Sequence, residues 1–72
     1  FVYEVVSKDV NSGKVFADKM RSYNLEVNTS ICFNSKLKKV VACRVYSKSK
    51  DNSKLIEQTI PSSFSYSVLK SI

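Results

Sequence analysis

The stretch LEVNTSICF, residues 25–33, carries the clearest secondary-structure signal in the chain. Apolar or β-branched residues stand at every odd position, and the even positions are polar or cysteine. Because side chains of a β-strand point alternately to its two faces, this period of two predicts a strand. The residues expected to face the core are Leu25, Val27, Thr29, Ile31 and Phe33.

The sequence that follows predicts a hairpin and further strands. Residues 34–39 are polar and basic and predict a turn, and residues 40–47 predict a second strand. Residues 55–60 are predicted as another strand that ends at Pro61, because proline cannot donate to the ladder. Residues 64–69 alternate again and predict the last strand.

A strand and a helix are predicted before residue 25. Residues 1–6 alternate but are apolar on both faces, which favours a position inside the sheet. Residues 13–23 are predicted as a helix with Asn11 or Ser12 as its N-cap, and Asn24 suits the left-handed position that closes it. The apolar side of this helix is predicted to comprise Val15, Phe16, Met20 and Tyr23.

Together these elements predict the order β-α-β-β-β-β and the α+β class, with one helix packed on an antiparallel sheet of four to five strands. With 72 residues, the chain has room for a single domain, residues 1–72. Its 43% hydrophobic content is that of a folded domain. No apolar run approaches the roughly 20 residues that span a bilayer, so no membrane association is expected.

Positive charge is concentrated in and after the predicted hairpin. Lys and Arg outnumber Asp and Glu by 12 to 6, which gives a net charge of +6. Such a chain attracts polyanions or acidic partners. Tyr46 stands between two cations and could stack on a base while the cations contact phosphate. The residues predicted to bind RNA are Lys36, Lys38, Lys39, Arg44, Tyr46, Lys48 and Lys50. An equally open alternative is that the lysines keep a sheet edge soluble and unpaired.

The sequence gives no support for catalysis, a metal or a cofactor. It contains no histidine, the commonest general base and metal ligand. Its single glycine excludes the Gly-rich loops that bind nucleotide phosphates. Cys32 and Cys43 match no zinc-binding spacing. We therefore expect no enzymatic activity, no metal site and no cofactor.

Two readings of the cysteines stay open. An even number of cysteines in a short chain favours a disulfide between Cys32 and Cys43, and the alternative is two buried free thiols in strands. If the two residues were directly opposed, the turn would comprise residues 37–38 or 36–39. Neither turn contains glycine or asparagine, which tight two-residue turns favour, so the wider turn is preferred.

Two blocks of sequence resemble a known family. The stretch ICFNSKLKKVVACRVYSKSKDNSKLIEQT, residues 31–59, is similar to the C-terminal half of small fungal guanyl-specific ribonucleases, in which a strand ending in Phe-Asn turns into another strand. FVYEV at the start, followed by a helix, is similar to the Tyr-x-Cys strand of the ribonuclease-like secreted effectors of powdery mildew fungi. This resemblance implies a ribonuclease-like fold, secretion and a role in virulence.

The chain departs from that family at its functional positions. Ser30 stands where the enzymes place an arginine, and Arg44 or Val45 where they place the catalytic histidine. Val5 replaces the cysteine of Tyr-x-Cys, so the family's usual disulfide cannot form. The resemblance therefore implies a pseudoenzyme, as in the effector branch.

The function predicted from sequence is a non-catalytic, ribonuclease-like secreted effector, a monomer that binds host RNA or an acidic host protein. After secretion, its expected site of action includes the inside of a host cell. The alternative is a cytosolic basic module that binds nucleic acid or protein and keeps free thiols. Counting the free thiols of the native protein separates the two.

Overall fold

The computed structural model describes residues 2–49 and 51–70 and confirms the α+β class. The elements follow in the order β1 (Val2–Ser7), α1 (Val10–Ser22), β2 (Val27–Asn34), β3 (Lys39–Lys48), α2 (Ser53–Thr59) and β4 (Ser65–Lys70). The strands form a four-stranded sheet in the order β2-β3-β1-β4. All neighbouring strands are antiparallel.

The strand order interlocks two βαβ units. In β1-α1-β2 the two strands are parallel and β3 lies between them, and in β3-α2-β4 the strand between is β1. This arrangement of elements is the ferredoxin-like one. The first strand is therefore central, as its two apolar faces predicted.

Residues 55–59 are helical and Ile60 is the C-cap of that helix, which corrects the strand predicted over residues 55–60. The segment belongs to α2, whose N-cap is Asn52, and the hydroxyl of Thr59 donates to the carbonyl of Leu55 at 2.6 Å. Ile56 is fully buried and Ile60 packs against the core. Their spacing of four residues fits one side of a helix. It also fits one face of a strand, whose period is two, so the spacing alone does not separate the two structures.

The main helix begins one turn earlier than predicted. Asp9, not Asn11 or Ser12, is the N-cap, and its carboxylate accepts a hydrogen bond from the backbone N–H of Asn11 at 3.0 Å. The hydroxyl of Ser12 donates to the same carboxylate at 2.9 Å. The helix ends at Ser22, and Asn24 takes the predicted left-handed conformation with φ 61°.

The side of α1 that faces the sheet differs from the predicted one. It comprises Gly13, Phe16, Ala17 and Met20, a spacing of three and four residues. Val15 is 68% exposed and Tyr23 43% exposed, so neither belongs to the core. A Cβ atom on Gly13 would lie 2.5 Å from the Cβ of Cys43, closer than side chains approach. The glycine therefore lets the helix backbone approach the sheet.

The core lies between the two helices and one face of the sheet, here called the covered face. Fully buried side chains come from β1, α1, β3 and α2 and form one cluster. The ring of Phe16 also meets Phe64 edge to face, with ring centroids 5.6 Å apart. The buried apolar residues are Tyr3, Val5, Phe16, Ala17, Met20, Leu25, Cys43, Val45 and Ile56.

Only the first part of β2 faces the core as predicted. Leu25 is buried and Val27 packs against the core, whereas Thr29 is exposed, Ile31 is 51% exposed and Phe33 is 64% exposed. Thr29 and Ile31 lie on an outer strand of the sheet. For Phe33 the cause is the length of the strands, because β1 ends at Ser7, which is paired with Cys43 in β3, while β2 and β3 continue. Residues 32–42 thus project past the third strand as a two-stranded arm, here called the hairpin overhang.

Candidate nucleic-acid interface

The sheet face opposite the helices carries the candidate site and is here called the open face. Alternation along each strand sends the neighbours of the buried residues to this side. Both helices bury their apolar residues against the covered face, so no helix in the described ranges packs over the open one. By strand alternation and register its residues are Val2, Glu4, Val6, Asn28, Ser30, Cys32, Ala42, Arg44, Tyr46, Lys48, Ser65 and Ser67.

Three of the predicted RNA-binding residues lie side by side on the open face. Arg44, Tyr46 and Lys48 occupy alternate positions of β3, so their side chains emerge on the same side of the sheet. Arg44 and Lys48 are exposed and Tyr46 is half-buried. Since β3 is an inner strand, this row runs over the sheet itself and not along its edge.

The surroundings of Arg44 keep its guanidinium charged. Interaction with the Tyr46 hydroxyl, and then with Cys32 and Glu4, raises the pKa of Arg44 above its already high ordinary value. The Nε atom of Arg44 lies 3.6 Å from the Oε1 atom of Glu4. This contact is an ion pair at the surface, so it neutralises part of the positive charge of the row.

Three other predicted residues lie at the tip of the hairpin overhang. Lys36 and Lys38 are in the exposed turn, and Lys39 is the first residue of β3. Asn34 organises the turn, because its Oδ1 atom accepts from the backbone N–H of Lys36 at 3.0 Å and of Leu37 at 3.1 Å. Lys38 then closes the turn with a positive φ of 51°.

The predicted site is therefore two separate groups. A strand rises about 3.3 Å per residue, which puts Lys39 and Lys48 roughly 30 Å apart at the two ends of β3. The turn group, Lys36, Lys38 and Lys39, and the face group, Arg44, Tyr46 and Lys48, can bind one ligand only if it runs along the strand. Lys50 lies outside the described residues.

The predicted disulfide between Cys32 and Cys43 is wrong, because both cysteines are free. Cys32 is paired with Ala42, and Cys43 is paired with Ile31. The register is therefore shifted by one residue from direct opposition, and this shift places the two side chains on opposite faces of the sheet. Cys43 is fully buried in the core, where burial raises the pKa of its thiol, and Cys32 is half-buried on the open face.

The remaining polar groups do not assemble a second site. Among the described residues, no three His, Cys, Asp or Glu side chains lie close enough to hold a metal ion. Glu57 accepts a hydrogen bond from the Tyr3 hydroxyl at 3.3 Å. A groove of about 470 Å³ between α1 and the α2–β4 connection is mainly apolar, and Lys19 is the charged residue in its lining.

Sequence reasoning did not identify the acidic and the uncharged polar side chains of the open face. The sequence predicted no role for Glu4, Ser65 or Ser67. Register was the missing information, because it brings Glu4 of β1 opposite Tyr46 on one side and Ser67 on the other. The alternation of Glu4 with buried Tyr3 and Val5 was the one available signal.

Comparison of the chain with protein-family models, curated proteins and solved structures finds no match. None of the helices in the described ranges is both long and apolar enough to cross a membrane. Since a fold hosts many functions, a function has to be argued from the geometry of the open face.

Proposed function

We propose that the protein is a non-catalytic RNA-binding module that holds single-stranded RNA on the open face of its sheet. The observation that carries this proposal is the row Arg44, Tyr46 and Lys48 on an uncovered sheet surface. An aromatic ring between two cations can stack on a base while the cations contact the flanking phosphates. Sheet faces with exposed aromatic side chains are a recurrent platform for single-stranded RNA.

The charge of the molecule supports the electrostatic part of the proposal. A net charge of +6 raises the local concentration of any polyanion. Each phosphate that a lysine or arginine neutralises releases condensed counterions, so binding is expected to weaken steeply with salt. The turn lysines extend the path, since a strand of RNA that follows β3 from Lys48 reaches the hairpin tip at Lys39.

Little sequence specificity is expected from this face. Among the residues that the structure describes, Tyr46 is the single aromatic side chain on it, and one stacking platform accepts every base. The neighbouring hydroxyl and amide groups of Ser30, Ser67 and Asn28 can donate or accept hydrogen bonds but form no rigid base-reading pair. The proposed ligand is accordingly single-stranded RNA as a class.

A non-catalytic role is supported by the state of the polar side chains. The chain has no histidine, and the described carboxylates closest to the open face and the core are engaged by Arg44 and by Tyr3. General acid–base cleavage of RNA needs two groups that exchange protons with the substrate. Glu4 beside Arg44 is a single carboxylate held in an ion pair.

The location and the resemblance to ribonuclease-like effectors stay predictions. The resemblance implied secretion, and a disulfide would have supported it. Free Cys32 and Cys43 are the feature that the alternative, a module in a reducing compartment, requires. An acidic host protein remains the second class of partner, because the same cations would attract it.

The proposal is tested with a short fluorescein-labelled oligouridylate and fluorescence anisotropy over a series of salt concentrations. Wild type should bind at low salt, and Tyr46→Ala should lose about 1 to 3 kcal/mol of binding free energy because a stacked base loses its platform. Replacing Lys36, Lys38 and Lys39 together by serine should lower the salt slope by about 2 and leave the fold intact, because these positions are exposed.

The matched control is Lys48→Gln against Lys19→Gln. Each variant removes one positive charge, but Lys48 lies on the open face and Lys19 is an exposed residue of α1 on the far side of the sheet. Lys48→Gln should weaken binding clearly more than Lys19→Gln does. Equal effects of the two variants, or no binding by wild type at low salt, would overturn the proposal and favour a protein partner.

A further inference from the structure

We propose that two copies of this chain pair through their β2 strands, edge to edge and antiparallel, to form one continuous sheet. β2 is an outer strand of the sheet, so one side of its backbone presents unpaired N–H and C=O groups. Its eight residues make it the longer of the two outer strands, since β4 has six. This inference is independent of RNA binding.

The β4 edge of the sheet is protected against pairing with a second chain, and the β2 edge is not. β4 carries an irregularity, because the register shifts between its pairing with Val2 and with Tyr3. Such bulges twist an edge away from a second chain. In the β2–β3 pair the shift comes only after Cys32, at the start of the overhang, and the extra residue is Val41 in β3. The extra residue therefore lies in the inner strand, and β2 itself keeps its alternation from Val27 to Asn34.

The composition of β2 removes the usual barriers to pairing. The strand VNTSICFN has no charged residue, no proline and no glycine, in a chain of which 25% of the residues are charged. Proteins normally place lysine or proline on an outer strand to prevent association. Two molecules of charge +6 repel each other, and this neutral strand is a place where they can meet without opposing like charges.

The exposed apolar side chains of β2 select a second copy as the partner. Ile31 and Phe33 lie on the same face of the strand and are 51% and 64% exposed. A two-fold axis perpendicular to the sheet keeps the covered faces of both copies on one side. If the axis passes through Cys32, Ile31 of each copy lies opposite Phe33 of the other, which is an aromatic with β-branched pair. Both side chains then gain a neighbour that the single chain does not supply.

This register makes a prediction about the thiols. Cys32 of one copy lies opposite Cys32 of the other, on the open face and at the axis. Cα atoms of directly opposed residues are about 4.5 to 5.5 Å apart, which is within the range that a disulfide spans. Oxidation by diamide would join the two sulfur atoms, and the two hydrogen atoms that the thiols lose would reduce diamide to its hydrazine. Cys43 is buried in the core and cannot take part.

The first test measures molar mass by sedimentation velocity over a concentration series under reducing conditions. Wild type should move from monomer to dimer as its concentration rises, in contrast to the monomer expected from sequence. Ile31→Lys should shift the dissociation constant at least tenfold toward monomer, because it sets two like charges close to the axis. Val15→Lys is the matched control, an exposed β-branched residue on α1, and should leave the equilibrium unchanged.

The second test needs no destabilising change in the edge strand. Cys43→Ala, which retains Cys32, should give a covalent dimer with diamide at protein concentrations where wild type dimerises, and Cys32→Ala should give none from the native state. If Ile31→Lys fails to fold, this cross-link decides. Wild type that stays monomeric at every concentration overturns the proposal, and so does a dimer that neither Ile31→Lys disperses nor diamide links through Cys32.

Discussion

The two faces of the same four strands have opposite characters. On the covered face Tyr3, Val5 and Val45 are 1% exposed or less, and every one of them contacts the core. On the open face their sequence neighbours Glu4, Val6 and Arg44 are half-buried or exposed. Under the proposed function, alternate residues of one strand therefore serve stability and RNA binding separately. Substitutions should therefore affect one property at a time.

The largest expected effect on stability is that of one carbon added where α1 packs against the covered face. Gly13→Ala should destabilise the fold by about 1 to 3 kcal/mol, because the new Cβ would meet the Cβ of Cys43 at 2.5 Å and its Sγ at 2.9 Å. Alanine is the better helix former by about 1 kcal/mol, so the sign of the result decides whether helix propensity or packing prevails. Urea denaturation gives the free energy of unfolding.

The matched variant adds one carbon to the open face of the same sheet. Val6→Ile lies on the central strand β1, half-buried, and should change the free energy of unfolding by less than about 0.5 kcal/mol. A stabilising Gly13→Ala, or a Val6→Ile as costly as Gly13→Ala, would remove the contrast between the faces.

An intermediate effect is expected from alkaline pH, again through the covered face. Burial, and then the charge of Glu57, raises the pKa of Tyr3 above its ordinary 10.0, and burial raises that of Cys43 above 9.0. The folded state thus holds both protons more tightly than the unfolded state does. Stability is fully present below the unfolded pKa values and is lost as the pH rises through the folded ones.

We therefore expect the free energy of unfolding to stay level up to about pH 8 and to fall between about pH 9 and about pH 10, where most lysines, with an ordinary pKa of about 10.4, are still charged. Cys43→Ala should remove the earlier part of this fall, and Cys32→Ala should leave it in place. Equal stability at both ends of the interval would show that the two buried groups do not control it.

Sequence periodicity predicted correctly those parts of the fold that depend on a few adjacent residues. The inner position of β1 followed from its two apolar faces, and Asn24 in the left-handed region followed from the end of the helix. The α+β class and the antiparallel sheet were also predicted correctly. In each case the signal lies in adjacent residues and does not depend on where other elements end.

The failures have a common physical cause, which is that relative lengths and register are tertiary properties. Phe33 alternates like a core residue but extends past the end of β1, and no periodicity in β2 reports that length. Cys32 and Cys43 miss direct opposition by one residue, because the turn comprises residues 35–38 and not 36–39, and the extra residue Val41 in β3 makes up only half of the resulting offset. Of the residues predicted to bind RNA, Arg44, Tyr46 and Lys48 do lie side by side, because alternation along one strand is enough to place them on the same face.

The sharpest test of the open face, with only a small expected effect on stability, is that of Glu4→Gln. The ion pair with Arg44 is 3.6 Å long, and the exposed fraction of the Arg44 side chain is 49%, so its loss should cost at most about 1 kcal/mol. Binding of the labelled oligouridylate should nevertheless become several-fold tighter, because the face loses its carboxylate and Arg44 is freed for a phosphate. Glu57→Gln, which removes one negative charge from α2 on the other side, is the control and should change affinity far less. If both variants tighten binding equally, only the net charge of the molecule matters, and the open face has no special part in it.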